Sequence, residues 1–404
     1  MTINTIAVII LLGGWSFARL FEKLRLPNVL GMVAFGILCS LTIKPMVPQL
    51  LWDISPFLKS LALIVILLRA GLGISRKNLQ TAGKTSIFMS LIPCLFEGIA
   101  LTFVFMYLFN FAWQVAGLTA FMLSAVSLAV TVPAMLDLRQ HQAAMNTGVP
   151  TIILAGCSVD NVLAITMFSA FLGMATRPGA SLVRSFLEVP VSILAGVAVG
   201  AVAGLLLVKW LDKRYQKIRA TEKTLILLCC ALMLAEVGNL FHIAALLGVM
   251  TIGFIMLQRS ERIAHEIAAK LGKIWVFAEI ILFVLIGLSL EGSVAAGAGF
   301  KGLIAICIGL IFRSLGVLVA TSFRKMSRNE RLLCIMAYLP KATTQAALGS
   351  VAMNNGMAEG SIILAIAVLA IVFTSPLGLI GIKFASGRFI AEAERTTVAC
   401  GQQP

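Results

Sequence analysis

The feature that most constrains this chain is a succession of thirteen predominantly apolar segments, most of them about 20 residues long. A helix of that length crosses the hydrocarbon core of a bilayer. Hydrophobic residues make up 60% of the sequence and charged residues 12%, which excludes an ordinary soluble domain. The sequence therefore predicts an all-α polytopic membrane protein with about 13 transmembrane helices. The predicted spans, numbered 1 to 13, are 3–20, 27–43, 55–75, 85–109, 113–137, 149–174, 185–208, 223–240, 243–257, 274–290, 297–321, 331–352 and 360–382.

The basic residues are distributed unequally between the two sides of these spans. Of the 32 Lys and Arg residues, 24 flank the loops after the odd-numbered spans, and the most basic loop is KWLDKRYQKIRATEK, residues 209–223. Cytoplasmic loops of membrane proteins carry such an excess. The pattern predicts an outside N-terminus, a cytoplasmic C-terminus and insertion in the cell (inner) membrane. It also explains the net charge of +15 without a nucleic-acid partner.

Two spans contain a proline where a helix should be regular, Pro133 in span 5 and Pro340 in span 12. Proline removes a backbone hydrogen bond, and a broken helix at membrane depth is tolerated where it lines a cavity. If span 7 is a linker, both breaks fall in the fifth member of a six-span half. Matching breaks in inverted halves indicate the binding site of a transporter. We therefore expect two inverted six-helix repeats joined by a linker helix, each repeat with one discontinuous helix.

The linker span carries Gly196, Gly200 and Gly204 at four-residue spacing, which predicts a flat face for close helix packing. The sequence predicts four units: the first inverted repeat 1–184 (spans 1–6), the linker helix with its basic cytoplasmic loop 185–222, the second inverted repeat 223–384 (spans 8–13) and a short cytoplasmic tail 385–404.

Span 6 contains an aspartate, Asp160, inside the apolar string AGCSVDNVLAIT. An ionised Asp at the bilayer centre costs about 2.5–3.5 kcal/mol, so such residues face a cavity or a partner. Ser158 and Asn161 add hydroxyl and amide oxygens, and Thr131 and Ser127 in span 5 add further hydroxyls. Hard oxygen ligands of this kind suit small cations such as Na⁺. These five residues are the candidate ion site, and we expect Asp160 and Asn161 to face different partners.

Three further charged residues lie within corresponding spans of the two halves. Glu97 in span 4 and Arg313 in span 11 are predicted to form a structural ion pair, because either charge alone would be costly. Lys341 follows Pro340 and is expected to compensate the negative end of a half-helix. The scattered histidines and cysteines predict no transition-metal site and no cofactor.

Five strings together resemble the NHA-type sodium/proton antiporters of the monovalent cation:proton antiporter superfamily, in matching order and across most of the chain. The strings are RAGLGIS (69–75), PCLFEG (93–98), AVSLAVTVPAML (125–136), GVPTIILAGCSVDNVLAIT (148–166) and YLPKATTQAALGSVA (338–352).

The resemblance implies a translocating core of spans 4–6 and 11–13 beside a dimerisation domain of spans 1–3 and 8–10, in a homodimer with an elevator-like movement. It also implies the Glu97–Arg313 pair and crossed breaks at Pro133 and Pro340. The sequence departs from the family pattern in two places. Electrogenic members carry two aspartates at the motif and electroneutral ones Asn-Asp, whereas this chain has Asp160-Asn161, and Leu128 replaces an expected proline.

The leading functional hypothesis is electroneutral antiport of Na⁺, Li⁺ or K⁺ against H⁺, which serves pH homeostasis, with both ions competing for Asp160. Two alternatives are a sodium-coupled carrier of an organic solute and a channel-like or non-transporting descendant of the same fold. The expected partners are membrane lipid, the transported ions and a second copy of the chain. An enzyme is not expected, because neither a nucleophile–base pair nor metal-ligand spacing is found in the sequence.

Overall fold

A computed structural model describes residues 2–24, 26–73, 76–138, 148–176, 182–241, 243–289 and 292–401. Within these ranges the side chains of 76–84, 129, 133, 136–137, 158, 182–190, 239, 292–298 and 393–401 are not described. The described part of the chain is helical and contains no strand.

Each predicted span overlaps one helix, so the helices carry the same numbers as the spans. The first helix includes a π-helical stretch at Ile9–Gly13. Helices α5 and α12 each consist of two halves, a and b. The bounds are α1 Ile3–Lys23, α2 Asn28–Thr42, α3 Gln49–Gly73, α4 Arg76–Phe109, α5a Trp113–Ser124, α5b Leu128–Leu138, α6 Val149–Ala175, α7 Leu182–Lys213, α8 Ala220–Phe241, α9 Ala245–Arg259, α10 Glu261–Ser289, α11 Gly292–Ser322, α12a Arg328–Tyr338, α12b Thr343–Asn354 and α13 Gly360–Gly401.

Many of these helices are long and apolar enough to cross a membrane. Among the described residues, eight have the necessary length and hydropathy, and α2 and α9 are shorter apolar helices. The chain is therefore an integral membrane protein, and the prediction of an all-helical polytopic fold is confirmed. The count of about 13 spans stays a prediction.

The helices pack in two groups. Helix α4 packs along α11 and α6, while α13 packs against α11 and both halves of α12. In the other group, α10 packs on α2 and α3, and α9 packs on α3 and α7. Helix α12b of the first group also contacts α3 and α10 of the second. The discontinuous helices thus lie within the first group and touch the boundary between the two.

The glycines of α7 lie against α9, as their spacing predicts. A Cβ atom on Gly196 would lie 2.4 Å from the carbonyl oxygen of Ala244, and one on Gly200 would lie 2.3 Å from that of Gly248. Both distances are far below van der Waals contact, so only glycine allows this helix spacing.

The segment predicted as a short tail, residues 385–404, is helical as far as Gly401. Helix α13 continues as helix from Gly360 to Gly401, well past the end of span 13. Phe389 on this extension is 1% exposed, and the Ser327 hydroxyl at the N-cap of α12a bonds Glu392 at 3.0 Å. Burial of one face against α12a explains why the segment is helical.

The two interruptions differ in their relation to proline. In α12 the break covers residues 339–342 and includes Pro340. In α5 it covers residues 125–127, so Pro133 is not the break but lies within α5b. Proline is tolerated within a transmembrane helix where neighbouring helices and side chains satisfy the freed backbone groups. The break in α5 instead occurs where groups of α6 and α12 bind its backbone.

Candidate functional site

Four ionisable side chains meet in the middle of the first helix group: Glu97 of α4, Asp160 of α6, Arg313 of α11 and Lys341 from the break in α12. All four are at most 2% exposed. Because isolated charges are very costly in a low-dielectric interior, such groups must bind one another. We call these four residues the charge cluster.

Arg313 is the centre of the charge cluster. Its Nη1 donates to Glu97 Oε2 at 2.6 Å, and its Nη2 lies 2.9 Å from each carboxylate oxygen of Asp160. Its Nε donates to the Tyr338 carbonyl at 2.7 Å, and Nη1 also donates to the Ser124 carbonyl. The guanidinium therefore bridges two acids and also binds backbone at the ends of α5a and α12a.

Lys341 lies in the break of α12, three residues after the end of α12a. Its Nζ donates to Glu97 Oε2 at 2.7 Å, so the ammonium is a member of the charge cluster. Its backbone nitrogen donates to Thr374 Oγ1 of α13 at 2.8 Å. The Oε2 atom of Glu97 thus accepts hydrogen bonds from two cationic side chains, those of Arg313 and Lys341. With all four groups ionised, the cluster has no net charge.

Asp160 and Asn161 face different partners. Besides Arg313, Asp160 accepts a hydrogen bond from the Val126 amide in the α5 break at 3.2 Å. Asn161 Nδ2 donates to the carbonyls of Val126 at 2.9 Å and Cys157 at 3.0 Å. Its Oδ1 accepts from the Thr344 hydroxyl at 3.3 Å. The aspartate therefore belongs to the charge cluster and the asparagine to the helix crossing.

The two interrupted helices bind each other directly. The Ser127 amide donates to the Pro340 carbonyl at 2.8 Å, and the Thr131 hydroxyl donates to the Ala337 carbonyl at 2.8 Å. Gln345 Nε2 donates to the Ala125 carbonyl at 2.6 Å. Backbone groups that lose a helical partner at each break are thus satisfied from the other helix, as membrane depth requires.

The predicted oxygen ligands are therefore in unequal positions. The Thr131 hydroxyl is engaged with the opposite helix. The Ser127 hydroxyl is fully buried and has no hydrogen-bond partner among the described residues. Ser158 lies on α6, but its side chain is outside the described residues, as is that of Pro133. The available oxygens near Asp160 are hard ligands, and the described residues contain no group of three or more His, Cys, Asp or Glu suited to a metal.

Two residues at this crossing were missed by the sequence interpretation: Gln345, which is fully buried, and Thr344. Both lie in the string TTQAALGS after Pro340. A glutamine inside an apolar span next to a break is itself a signal, because a buried amide requires partners.

Replacement of Gln345 with leucine is expected to destabilise the protein. The Ala125 carbonyl and the Ala342 amide, which donates to Gln345 Oε1 at 2.8 Å, would both lose their partner. Each unsatisfied buried group costs about 1–3 kcal/mol. The melting temperature in detergent should fall. Ser350→Ala is a matched control, because in the part of the chain that the structure describes this hydroxyl bonds only its own helix. Equal melting temperatures for the two variants would contradict the crossing role.

The chain resembles known proteins in both sequence and fold. The transmembrane sodium/hydrogen exchanger family matches residues 7–385 of the chain. Sodium/hydrogen exchanger 9B2 of Homo sapiens is 31% identical over 385 residues, which is 91% of this chain and 71% of that protein. The mouse (Mus musculus) protein of the same name is 30% identical over 389 residues, with 92% and 70% covered.

A solved structure has a similar fold. The sodium proton antiporter MjNhaP1 from Methanocaldococcus jannaschii matches with a TM-score of 0.76 and 19% identity, over 96% of this chain and 98% of that chain. At this identity the likeness concerns the fold alone. The match of the family along nearly the whole chain, together with these relatives, identifies the protein: it belongs to the transmembrane sodium/hydrogen exchanger family.

Proposed function

We propose that the protein is a secondary antiporter that exchanges a monovalent cation, Na⁺ or alternatively Li⁺ or K⁺, for H⁺. The observation that carries this proposal is the buried carboxylate of Asp160, held between the interrupted backbone of α5 and Arg313. Membership of the sodium/hydrogen exchanger family supports it. A carboxylate binds either a proton or a cation, so both ions compete for one site.

Arg313 competes with the transported ions for the carboxylate of Asp160. Both oxygens of Asp160 lie at hydrogen-bond distance from Nη2, so an entering cation or proton must weaken that contact. Arg313 keeps Glu97, Tyr338 and Ser124 as partners when it does so. The Ser127 hydroxyl and the carbonyls of the α5 break are the oxygens that complete a cation site with Asp160. Ser158 is a further candidate ligand.

We further propose that the helices α4–α6 and α11–α13 move together as an elevator-like core. Their mutual packing and the boundary contacts of α12b with α3 and α10 support this. Helices α1–α3 and α8–α10 would form the scaffold and the contact of a homodimer in the cell (inner) membrane. The excess of basic residues in alternate loops supports a cytoplasmic C-terminus.

The proposed cycle is electroneutral. If Asp160 carries one proton or one monovalent cation, and Glu97, Arg313 and Lys341 keep their charges, the loaded site has the same charge in both directions. The membrane potential acts on net charge, at about 2.3 kcal/mol per elementary charge per 100 mV. It should therefore have no effect on the exchange equilibrium.

Uptake of labelled Na⁺ into proteoliposomes, driven by a pH gradient, tests the proposed exchange. We expect uptake that collapses when the pH gradient is removed, and a balance point between the two gradients that is unchanged by an imposed voltage. A balance point that shifts with voltage would show that each cycle moves net charge. A second ionisable group, Lys341 or a further acid, would then also gain and lose a proton. Uptake that requires an organic solute, or that follows voltage without proton movement, would indicate one of the alternative functions.

A further inference from the structure

Asn161 occupies the second position of the motif, where the family pattern has an aspartate, and its hydrogen bonds connect three helices, an arrangement that we call the tie. We propose that Asn161 is a positioning residue that joins the interruption of α5 to the start of α12b, and that it is not a ligand of the transported ion. This inference rests on the proposed function, because positioning is measured through exchange.

The amide group of Asn161 has no free donor. One donor contact goes to the Val126 carbonyl, inside the interruption of α5, at 2.9 Å. The other goes to the Cys157 carbonyl, one turn earlier on α6, at 3.0 Å. An amide nitrogen carries two hydrogens, so these contacts use both. Without the Asn161 donor, the Val126 carbonyl would be an unsatisfied buried acceptor at a helix break.

The oxygen of Asn161 extends the tie to the second broken helix. It accepts from the hydroxyl of Thr344, the second residue of α12b, at 3.3 Å. One side chain thus connects α6, the break in α5 and the first turn of α12b. Asp160, its neighbour, accepts from the amide of the same Val126. The backbone of Val126 is therefore held at both of its polar groups, by Asp160 at the amide nitrogen and by Asn161 at the carbonyl oxygen.

This arrangement explains why an asparagine suits the position better than an aspartate. An ionised carboxylate at this position would place its oxygens against the carbonyls of Val126 and Cys157, where acceptor would face acceptor. It would also add a second negative charge beside Asp160 in a buried site, which is costly. The positioning role predicts that the substitution Asn161→Asp harms exchange, whereas an ion-ligand role predicts that a second carboxylate supports it.

The test compares Asn161→Ala, Asn161→Asp and Thr344→Val with the wild type in proteoliposomes. Thr166→Val is the matched control, because among the described residues the Thr166 hydroxyl of α6 bonds only the Val162 carbonyl of its own helix. Loss of positioning lowers the maximal rate, whereas loss of an ion ligand raises KM. We expect both Asn161 variants to lose at least about tenfold in maximal rate, and Thr344→Val about fivefold, with KM for Na⁺ within about twofold of wild type.

Several results would overturn the inference. A KM for Na⁺ raised by about tenfold at unchanged maximal rate would make Asn161 a ligand. Wild-type kinetics in Asn161→Ala or Thr344→Val would show that the tie is unimportant, and full exchange in Asn161→Asp would show that donors are not required. Should Asn161→Ala fail to fold, Thr344→Val alone decides between these outcomes, because it removes one contact and leaves the asparagine in place.

A second readout separates this inference from the proposed function. The melting temperature of the purified protein in detergent should fall in Asn161→Asp and Asn161→Ala but not in Thr166→Val. If the wild type shows no exchange, the proposed function is wrong, while the melting temperatures still test the tie. If the wild type exchanges normally and all variants melt alike, the tie is wrong and the function stands.

Discussion

Replacement of Asp160 with asparagine is expected to abolish cation–proton exchange in protein that is still folded, although the loss of one acid from the buried charge cluster also lowers its stability. The carboxylate is fully buried between the Val126 amide and Arg313, and it is the carboxylate of the charge cluster that accepts a hydrogen bond from the interrupted backbone of α5. An amide can neither release a proton nor balance a cation. Both half-reactions of the proposed exchange are therefore lost together, rather than one of them being weakened.

The measurement is proton movement driven by a Na⁺ gradient in proteoliposomes, with Asp53→Asn as a matched control. Asp53 is exposed at the start of α3 and bonds only Gln49 at 3.0 Å among the described residues, so its loss should leave exchange unchanged. Retention of more than about half of the wild-type rate in Asp160→Asn would exclude Asp160 as the exchanging group. An unaltered elution volume on size exclusion confirms that the variant is folded.

The helices were the most predictable part of the structure, because each is determined by the length of an apolar segment. Each of the thirteen predicted segments overlaps helix within the described residues, whereas the break in α5 was predicted at Pro133 and lies at residues 125–127. Proline gives a local signal, but this interruption depends on partners from elsewhere. Gln345 is 220 residues from Ala125 in the chain, and the bond between them cannot be read from either segment.

The candidate site was predictable as a set of residues but not as an arrangement. Buried charges in apolar spans are costly, which is why Glu97, Asp160 and Arg313 could be selected from the sequence. The sharing of Arg313 between both acids depends on the packing of α4 against α11 and α6. The contact of Lys341 with Glu97 likewise depends on the direction in which the α12 break presents its side chain.

Separate replacement of Arg313 and Glu97 with glutamine is expected to lower stability strongly. Arg313→Gln leaves two carboxylates with only Lys341 as a counter-charge and removes the donors to the Tyr338 and Ser124 carbonyls. Glu97→Gln leaves two cations beside one carboxylate. Removal of one partner from a buried ion pair costs about 3–5 kcal/mol. Arg313→Gln should be the worse variant, because it also leaves backbone acceptors unsatisfied.

The double variant Glu97→Gln/Arg313→Gln decides whether the two residues act as a pair. It leaves Asp160 and Lys341, one negative and one positive charge, so the net charge of the cluster is again zero. Its loss of stability should therefore be smaller than the sum of the single losses, by a coupling of about 0.5–3 kcal/mol.

Glu22→Gln provides the control, since the Arg19–Glu22 pair consists of the same residue types with side chains 61% and 58% exposed, and solvent screens such pairs. Thermal unfolding in detergent should show no change for this control and, for the double variant, a fall in stability that is smaller than the sum of the falls in the two single variants. Strict additivity of the two single losses would mean that Arg313 is held by Asp160 and the backbone carbonyls, with Glu97 serving Lys341 alone.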